Sequence, residues 1–210
     1  MSGRHEQRPP ETVLGAVELR HVPGFIAVML TTRATYVDLA APYARLVAWT
    51  AAIEVLPCGA PICLFYGDPA ASPHVEGRVS LCLPVSAADA DRARAALSGH
   101  VPPPMFAPTV PPANALEPPS LPDPHAEAAL LRDGDVVEVR QFPRGLAAVV
   151  FYRGPLDTAA TAYTRLREWV KERPYLPSGA TREVFLAEPG SLGPGLAEVE
   201  VHQPVVAGGR

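Results

Sequence analysis

Residues 181–189 read TREVFLAEP, a run of strand-forming residues that sets a carboxylate two positions before an aromatic ring. In an extended chain alternate side chains share a face, so Glu183 and Phe185 lie together and Val184 and Leu186 lie on the reverse. The Val184/Leu186 face is expected to pack on helices, which leaves Glu183 and Phe185 to line a cleft. A carboxylate beside aromatic rings in a partly dry cavity attracts a cation with about 4 kcal/mol at roughly 4 Å, for an effective dielectric of about 20. Flat, polarisable rings add cation–π attraction and accept planar molecules of many shapes. The candidate rings are Tyr36, Phe65, Phe151, Tyr152 and Phe185, all at strand ends or strand-to-helix turns. The competing reading of Glu183 is an ordinary solvent-facing acid on an edge strand, and the residues alone leave both open.

Other chemistries lack their residues. There is no Gly-x-Ser-x-Gly elbow, no glycine-rich phosphate loop and no Cys/His zinc spacing, and the six histidines are scattered. No metal and no cofactor is expected. His21 and His202 fall on strands, where a satisfied structural role is the commoner outcome.

The elements that must position Glu183 come from a repeat. Residues 17–85 align with 137–205 without a gap, and 20 of the 69 positions are identical. VELRHVP matches VEVRQFP, LPCGA matches LPSGA, and PYARLVAW matches AYTRLREW. Such self-similarity predicts one structural unit used twice. Each copy reads strand, helix, strand, strand, in an α+β pattern of antiparallel strands. The first strand of each copy is interrupted by Pro-Gly or Pro-Arg-Gly, which suggests a bulge or bend. The helices are expected over 39–53 and 159–170, with Leu39, Tyr43, Leu46 and Ile53, then Ala159, Tyr163, Leu166 and Val170, facing inward. Trp49 and Trp169 sit at the border of that face, in the core or, for an indole at its edge, beside a pocket. Arg45 and Arg165 recur as solvated helix surface or intramolecular ion pairs.

The expected organisation is an N-terminal tail (1–16), a first module (17–85), a short helix with a connector (86–134) and a second module (135–206), with 17–206 forming one domain. Ser86 caps an Ala-rich helix, and residues 101–124 hold ten prolines, too many for helix or central strand. They are read as an extended connector, with recognition by a proline-binding partner as the alternative.

Composition bounds the partners. With 48% apolar and 19% charged residues the chain can bury a sizeable core. A net charge of −4 without a cluster of Lys and Arg argues against direct DNA binding. No apolar run is long enough for a membrane span or a signal peptide, and three cysteines without Cys-x-x-Cys spacing fit a reducing compartment. A cytoplasmic protein without disulfides is expected.

The order VEVRQFPRGLAAVVFYRGP, AYTRLREWV, SGATREVFLAEP and EVEVHQPV, duplicated over nearly the whole chain, resembles the GyrI-like small-molecule-binding domain. That domain also forms the effector-binding half of multidrug-sensing transcription regulators. The resemblance implies antiparallel strands lining a central ligand cleft between two pseudo-twofold copies. It also puts Glu183 on the family's acidic strand position, often written Glu-x-Tyr, which pairs with cationic, lipophilic ligands. Cys63 takes the matched place in the first copy, so only one module carries the acid. Two departures stand out. The family's Gly-Pro-Tyr turn reads Gly154-Pro155-Leu156, although the first copy keeps Tyr36 there, and Glu-x-Tyr becomes Glu-Val-Phe.

Two function classes follow. The first is a stand-alone binder or sequestering protein for lipophilic, often cationic small molecules, of the kind that confers drug resistance, with Glu183 as counter-ion. Its ligand-binding residues are Glu183, Phe185, Tyr152, Phe151, Tyr36, Phe65 and Trp169. About sixteen residues precede the first module, too few for a helix-turn-helix domain. The second is a hydrolase, since stand-alone members of the family open the cyclopropane of DNA-alkylating natural products. In that case Glu183 handles a water and Tyr152 hydrogen-bonds a developing oxyanion. The family's namesake implies a third role, binding to DNA gyrase.

Overall fold

The computed structural model describes residues 12–66, 74–99, 131–193 and 195–208, so the proline-rich stretch 101–124 lies outside the described residues. In chain order the elements are β1 (Val13–Val22), β2 (Phe25–Ala34), α1 (Ala40–Ala52), β3 (Ile62–Phe65), β4 (Gly77–Val85) and α2 (Ala87–Leu97). They continue with β5 (Val136–Phe142), β6 (Gly145–Pro155), α3 (Ala160–Lys171), β7 (Tyr175–Pro177), β8 (Arg182–Phe185) and β9 (Leu196–Ala207). β1 begins at Val13, inside the stretch read as tail. β7 and a 3₁₀ turn over Leu156–Thr158 were not expected. Among the described residues no helix is long and apolar enough to cross a membrane.

The strands form one antiparallel sheet in the order β1-β6-β9-β8-β3-β4-β2-β5, with β7 beside β9. An offset of 120 residues carries β1 onto β5, β2 onto β6, β3 onto β8 and β4 onto β9, and the order reads the same from either end under that exchange. The middle is the β3/β8 seam, where Ile62 faces Val184, Cys63 faces Glu183 and Leu64 faces Arg182.

The interruptions at Pro23-Gly24 and Pro143-Arg144 are kinks in two long strands that run antiparallel through them. Val22 faces Gly145 on one side and Phe25 faces Phe142 on the other, with no residue gained or lost between. Proline has no N–H to give the ladder, so the ladder lapses where the prolines stand. Gly24 is required at this crossing, because a Cβ there would meet the Arg144 amide nitrogen at 2.9 Å and the Phe142 carbonyl at 3.0 Å. The kink sends β1 to pair with β6 and β2 to pair with β5, so each half of the chain donates an edge strand to the other half's sheet. A register shift does occur, but within β1, between Leu14 and Val17.

The larger core gathers under the helices. In α3 the buried residues Ala162, Tyr163, Leu166 and Val170 recur at helical spacing. In α1 the buried stripe is Pro42, Leu46 and Thr50, and Tyr43 and Ile53 are only partly buried against it. Thr50 fits there because its hydroxyl donates to the carbonyls of Leu46 at 3.1 Å and Val47 at 2.9 Å. α2 starts at Ser86, whose Oγ accepts from the Asp89 amide at 3.1 Å, and it buries Ala90 and Ala93. A second, smaller apolar cluster of Ala27, Met29, Ile62, Leu64, Cys82 and Phe142 lies apart from it, with Phe25, Ala180 and Val184 packed against it.

The recurrent helix arginines are anchored. Arg45 pairs with Asp135 through Nε at 3.0 Å, and Arg165 donates to the Gly15 carbonyl at 2.9 Å. Each therefore ties a helix to the strand that the other half of the chain begins with.

Candidate functional site

β8 is short and enclosed, and its two faces separate its residues sharply. Glu183 and Phe185 point into the large core beneath the helices, and Val184 joins the smaller cluster. This reverses the expectation that Val184 and Leu186 would pack on the helices; Leu186 is exposed. The reason is the seam. β8 is a central strand between β3 and β9, so no solvent edge exists for the acid to reach.

Glu183 is fully buried. Its Oε1 accepts hydrogen bonds from the Tyr36 hydroxyl at 2.6 Å and the Tyr163 hydroxyl at 2.7 Å. Its Oε2 has no hydrogen-bond partner among the described residues. Tyr36 sits in the turn that leads from β2 to α1, and Tyr163 rides on α3, so the two halves of the chain each supply one donor. Burial pushes the carboxyl from its usual 4.5 up to about 7, and the two tyrosine hydrogen bonds hold it from rising further. Both tyrosines are raised well above their ordinary range by burial first and the Glu183 charge second. Cys63, facing Glu183 across the seam, is raised for the same two reasons.

The expected aromatic residues divide. Tyr36, Phe65 and Phe185 gather in the core with Glu183, with the Tyr36 and Phe65 rings edge-to-face at 5.2 Å. Tyr152 is also in this core, but its hydroxyl donates to the Pro155 carbonyl and lies 2.7 Å from Thr158 Oγ1, so it is already engaged. Phe151, the next residue on β6, points to the opposite face and packs against Gly15. Trp169 stacks on Tyr175 at 6.0 Å with the Arg173 guanidinium 4.2 Å from its ring centre, and it does not reach Glu183. Tyr163 is the site residue that sequence reasoning assigned to packing alone. Its helical position was read correctly as core-facing, and the hydroxyl at the end of a buried ring was the unused signal.

Two cavities each have one of the carboxylate's tyrosine partners in the wall, and Glu183 itself is in neither wall. The first, of about 330 Å³, is lined by Tyr36, Leu39, Leu156, Phe185 and Leu196 among others. The second, of about 530 Å³, is lined by Tyr163, Leu166, Val170, Tyr175 and Thr181 among others. Both fall within or near the usual range for small-molecule sites.

Among known structures, EcmrR bound to DNA aligns with a TM-score of 0.54 at 16% identity, over 91% of this chain and 57% of that one. The EcmrR C-terminal domain gives 0.51 at 16% identity, over 92% of this chain and 98% of that one. A hydrolase from Listeria innocua gives 0.54 at 11% identity, over 95% and 94%. At these identities the likeness shows the fold alone. Among curated proteins none matches the sequence. The sequence itself matches the GyrI-like small molecule binding domain over residues 15–206, and with the α+β fold and its enclosed acid described above, the chain belongs to that family.

Proposed function

We propose that this chain binds or sequesters lipophilic, often cationic small molecules in the helix-side core, with Glu183 as counter-ion. One observation carries the reading: a fully buried carboxylate held through one oxygen by two tyrosines, with its second oxygen unpartnered among the described residues. An uncompensated buried charge is costly, and a cation that reaches it recovers part of that cost. Tyr36 and Tyr163 each line a cavity and bond Glu183, so a ligand entering from either side would displace a tyrosine hydroxyl to reach the acid. Phe65, Phe185 and the tyrosine rings supply the flat walls. Because the carboxyl titrates near 7, cation binding releases a proton below that pH, and affinity for a permanent cation rises as pH increases from 6 to 8.

The test is titration calorimetry with crystal violet and with its uncharged leuco form. Glu183→Gln is expected to weaken the dye cation about tenfold, or about 1.4 kcal/mol, and the leuco form much less. Equal losses for both would remove the counter-ion role.

A second reading is favoured by the carboxyl's position near pH 7, which suits an acid or base as well as a counter-ion. In a cyclopropane-opening hydrolase Glu183 would activate the water. For the oxyanion contact Tyr152 would have to release the Pro155 carbonyl, as Tyr36 or Tyr163 would have to release Glu183. A time course with a cyclopropane-bearing alkylator, read by chromatography with mass detection, separates the two. Multiple turnovers lost in Glu183→Gln mean hydrolysis, and saturable binding without product means sequestration.

A further inference from the structure

The residue before Glu183 faces the other way and is stranger. Arg182 is 7% exposed, its Nε has no hydrogen-bond partner, and it makes no ion pair among the described residues. Burial lowers its pKa, against a smaller raising effect of the neighbouring Cys82. Yet its guanidinium opens onto a cavity of about 590 Å³ lined also by Leu64, Tyr66, Arg140, Phe142 and Arg144. Beneath it lies a built aromatic floor. Phe25 and Phe142 stack with centroids 4.6 Å apart, Arg182 sits 5.6 Å from the Phe25 ring, and Arg140 sits 5.5 Å from the Phe142 ring.

The matched region of the other half shows what an ordinary version of this surface does with its arginine. Arg20, which the 120-residue offset carries onto Arg140, is neutralised by Glu200 at 2.6 Å and Glu18 at 2.9 Å. On the Arg140 side Ser80 stands in the place of Glu200 while Glu138 keeps the place of Glu18, and among the described residues Arg140 makes no ion pair with Glu138 or any other acid. Three arginines thus line one cavity on the opposite face of the sheet from Glu183, and among the described residues of its wall there is no acid. Arginine forks match carboxylates in geometry, and guanidinium–ring stacking keeps them in place without neutralising them.

We propose that this cavity is a second ligand site, for a planar organic carboxylate whose anionic group meets Arg182 and whose flat body covers Phe142, Leu64 and Tyr66. The site is separate from the cation site and does not depend on it. Arg140 and Arg144 draw the anion in from the rim, and Arg182, already stripped of water, gives the specific contact.

Titration calorimetry of the full chain with 2-naphthoate and with 2-naphthamide tests this. Saturable naphthoate binding is expected, at least tenfold tighter than the amide. Arg182→Leu should lose tenfold or more of the naphthoate affinity, and Arg140→Gln with Arg144→Gln several-fold, with the amide unchanged in both. Circular dichroism reports whether Arg182→Leu folds; where it does not, the rim double variant decides. Overturning results are equal binding of acid and amide, no saturable binding of naphthoate at millimolar concentration, or unchanged naphthoate affinity in the folded variant that decides. Displacement of naphthoate by crystal violet would place both in one cleft and overturn the proposal as well.

Discussion

At the seam, two strands in matched positions bring opposite chemistry. β3 contributes Ile62, Cys63 and Leu64, all buried and uncharged, and β8 contributes Arg182, Glu183 and Val184. The two charges are sequence neighbours, yet the alternation of a strand sends one to each face of the sheet, where they cannot pair. The half that carries β3 shows that this place in the fold needs no charge to be stable. The charges of β8 therefore cost stability that packing elsewhere offsets, and both of the proposed sites would draw their charge from one strand.

The largest expected effect comes from making β8 resemble β3 at the acid. The folded-state pKa of Glu183 is raised to about 7 from 4.5, so the unfolded chain loses its proton first as pH rises. Wild-type stability should fall from pH 4.5 upward and level off above about 7, with a total loss of about 3 kcal/mol. Glu183→Gln removes that slope, so thermal melts of the two proteins should diverge as pH increases from 5 to 8. Parallel curves would mean that the acid is not protonated as described.

The helix anchors give a smaller contrast between the halves. Arg45→Ala takes the cation from the enclosed Asp135, which keeps only the Arg132 amide and Thr32, and should cost about 2 kcal/mol, and Arg165→Ala loses one exposed bond to a carbonyl and should cost about 0.5 kcal/mol. Urea denaturation of the pair checks the ratio, and equal costs would show that Asp135 is not sequestered.

The finest comparison lies at Glu183 itself. Tyr36→Phe and Tyr163→Phe each remove one donor to the same oxygen, and each should destabilise the protein by about 1 kcal/mol at pH 8 and less at pH 5, where the acid is neutral. A difference between them in the pH of the stability change would show which half of the chain holds the acid more firmly.

Much of the architecture was legible in the chain. The strand and helix order, the Ser86 cap and the core-facing Leu46 and Leu166 follow from periodicity and from the repeat, because local pattern and burial agree there. What was not legible depended on strand exchange. Local pattern says that Val13–Ala34 is extended, but not that its two ends pair with different strands across a kink. Without the pairing, the residues leave open whether Glu183 is a solvent-facing acid on an edge strand; the pairing makes β8 central and puts the acid under the helices. The same ignorance hid Arg182, which by residue type alone belongs on the surface. Tyr163 was found as a core residue because rings are large, and missed as a donor because a hydroxyl leaves no periodic trace.

The exchanged edge strands also set a timetable for synthesis. The edge of β2 is covered only when β5 arrives, and β5 begins at Val136, about fifty residues after β4 ends at Val85. At about 5–20 residues per second this leaves a hydrogen-bonding edge bare for roughly 3–10 seconds on each ribosome. An open strand edge is a template for a neighbouring nascent chain. Until β5 is made, a matching strand on a neighbouring nascent chain can take its place beside β2, so the kink that interleaves the finished molecule also lengthens its exposure during synthesis.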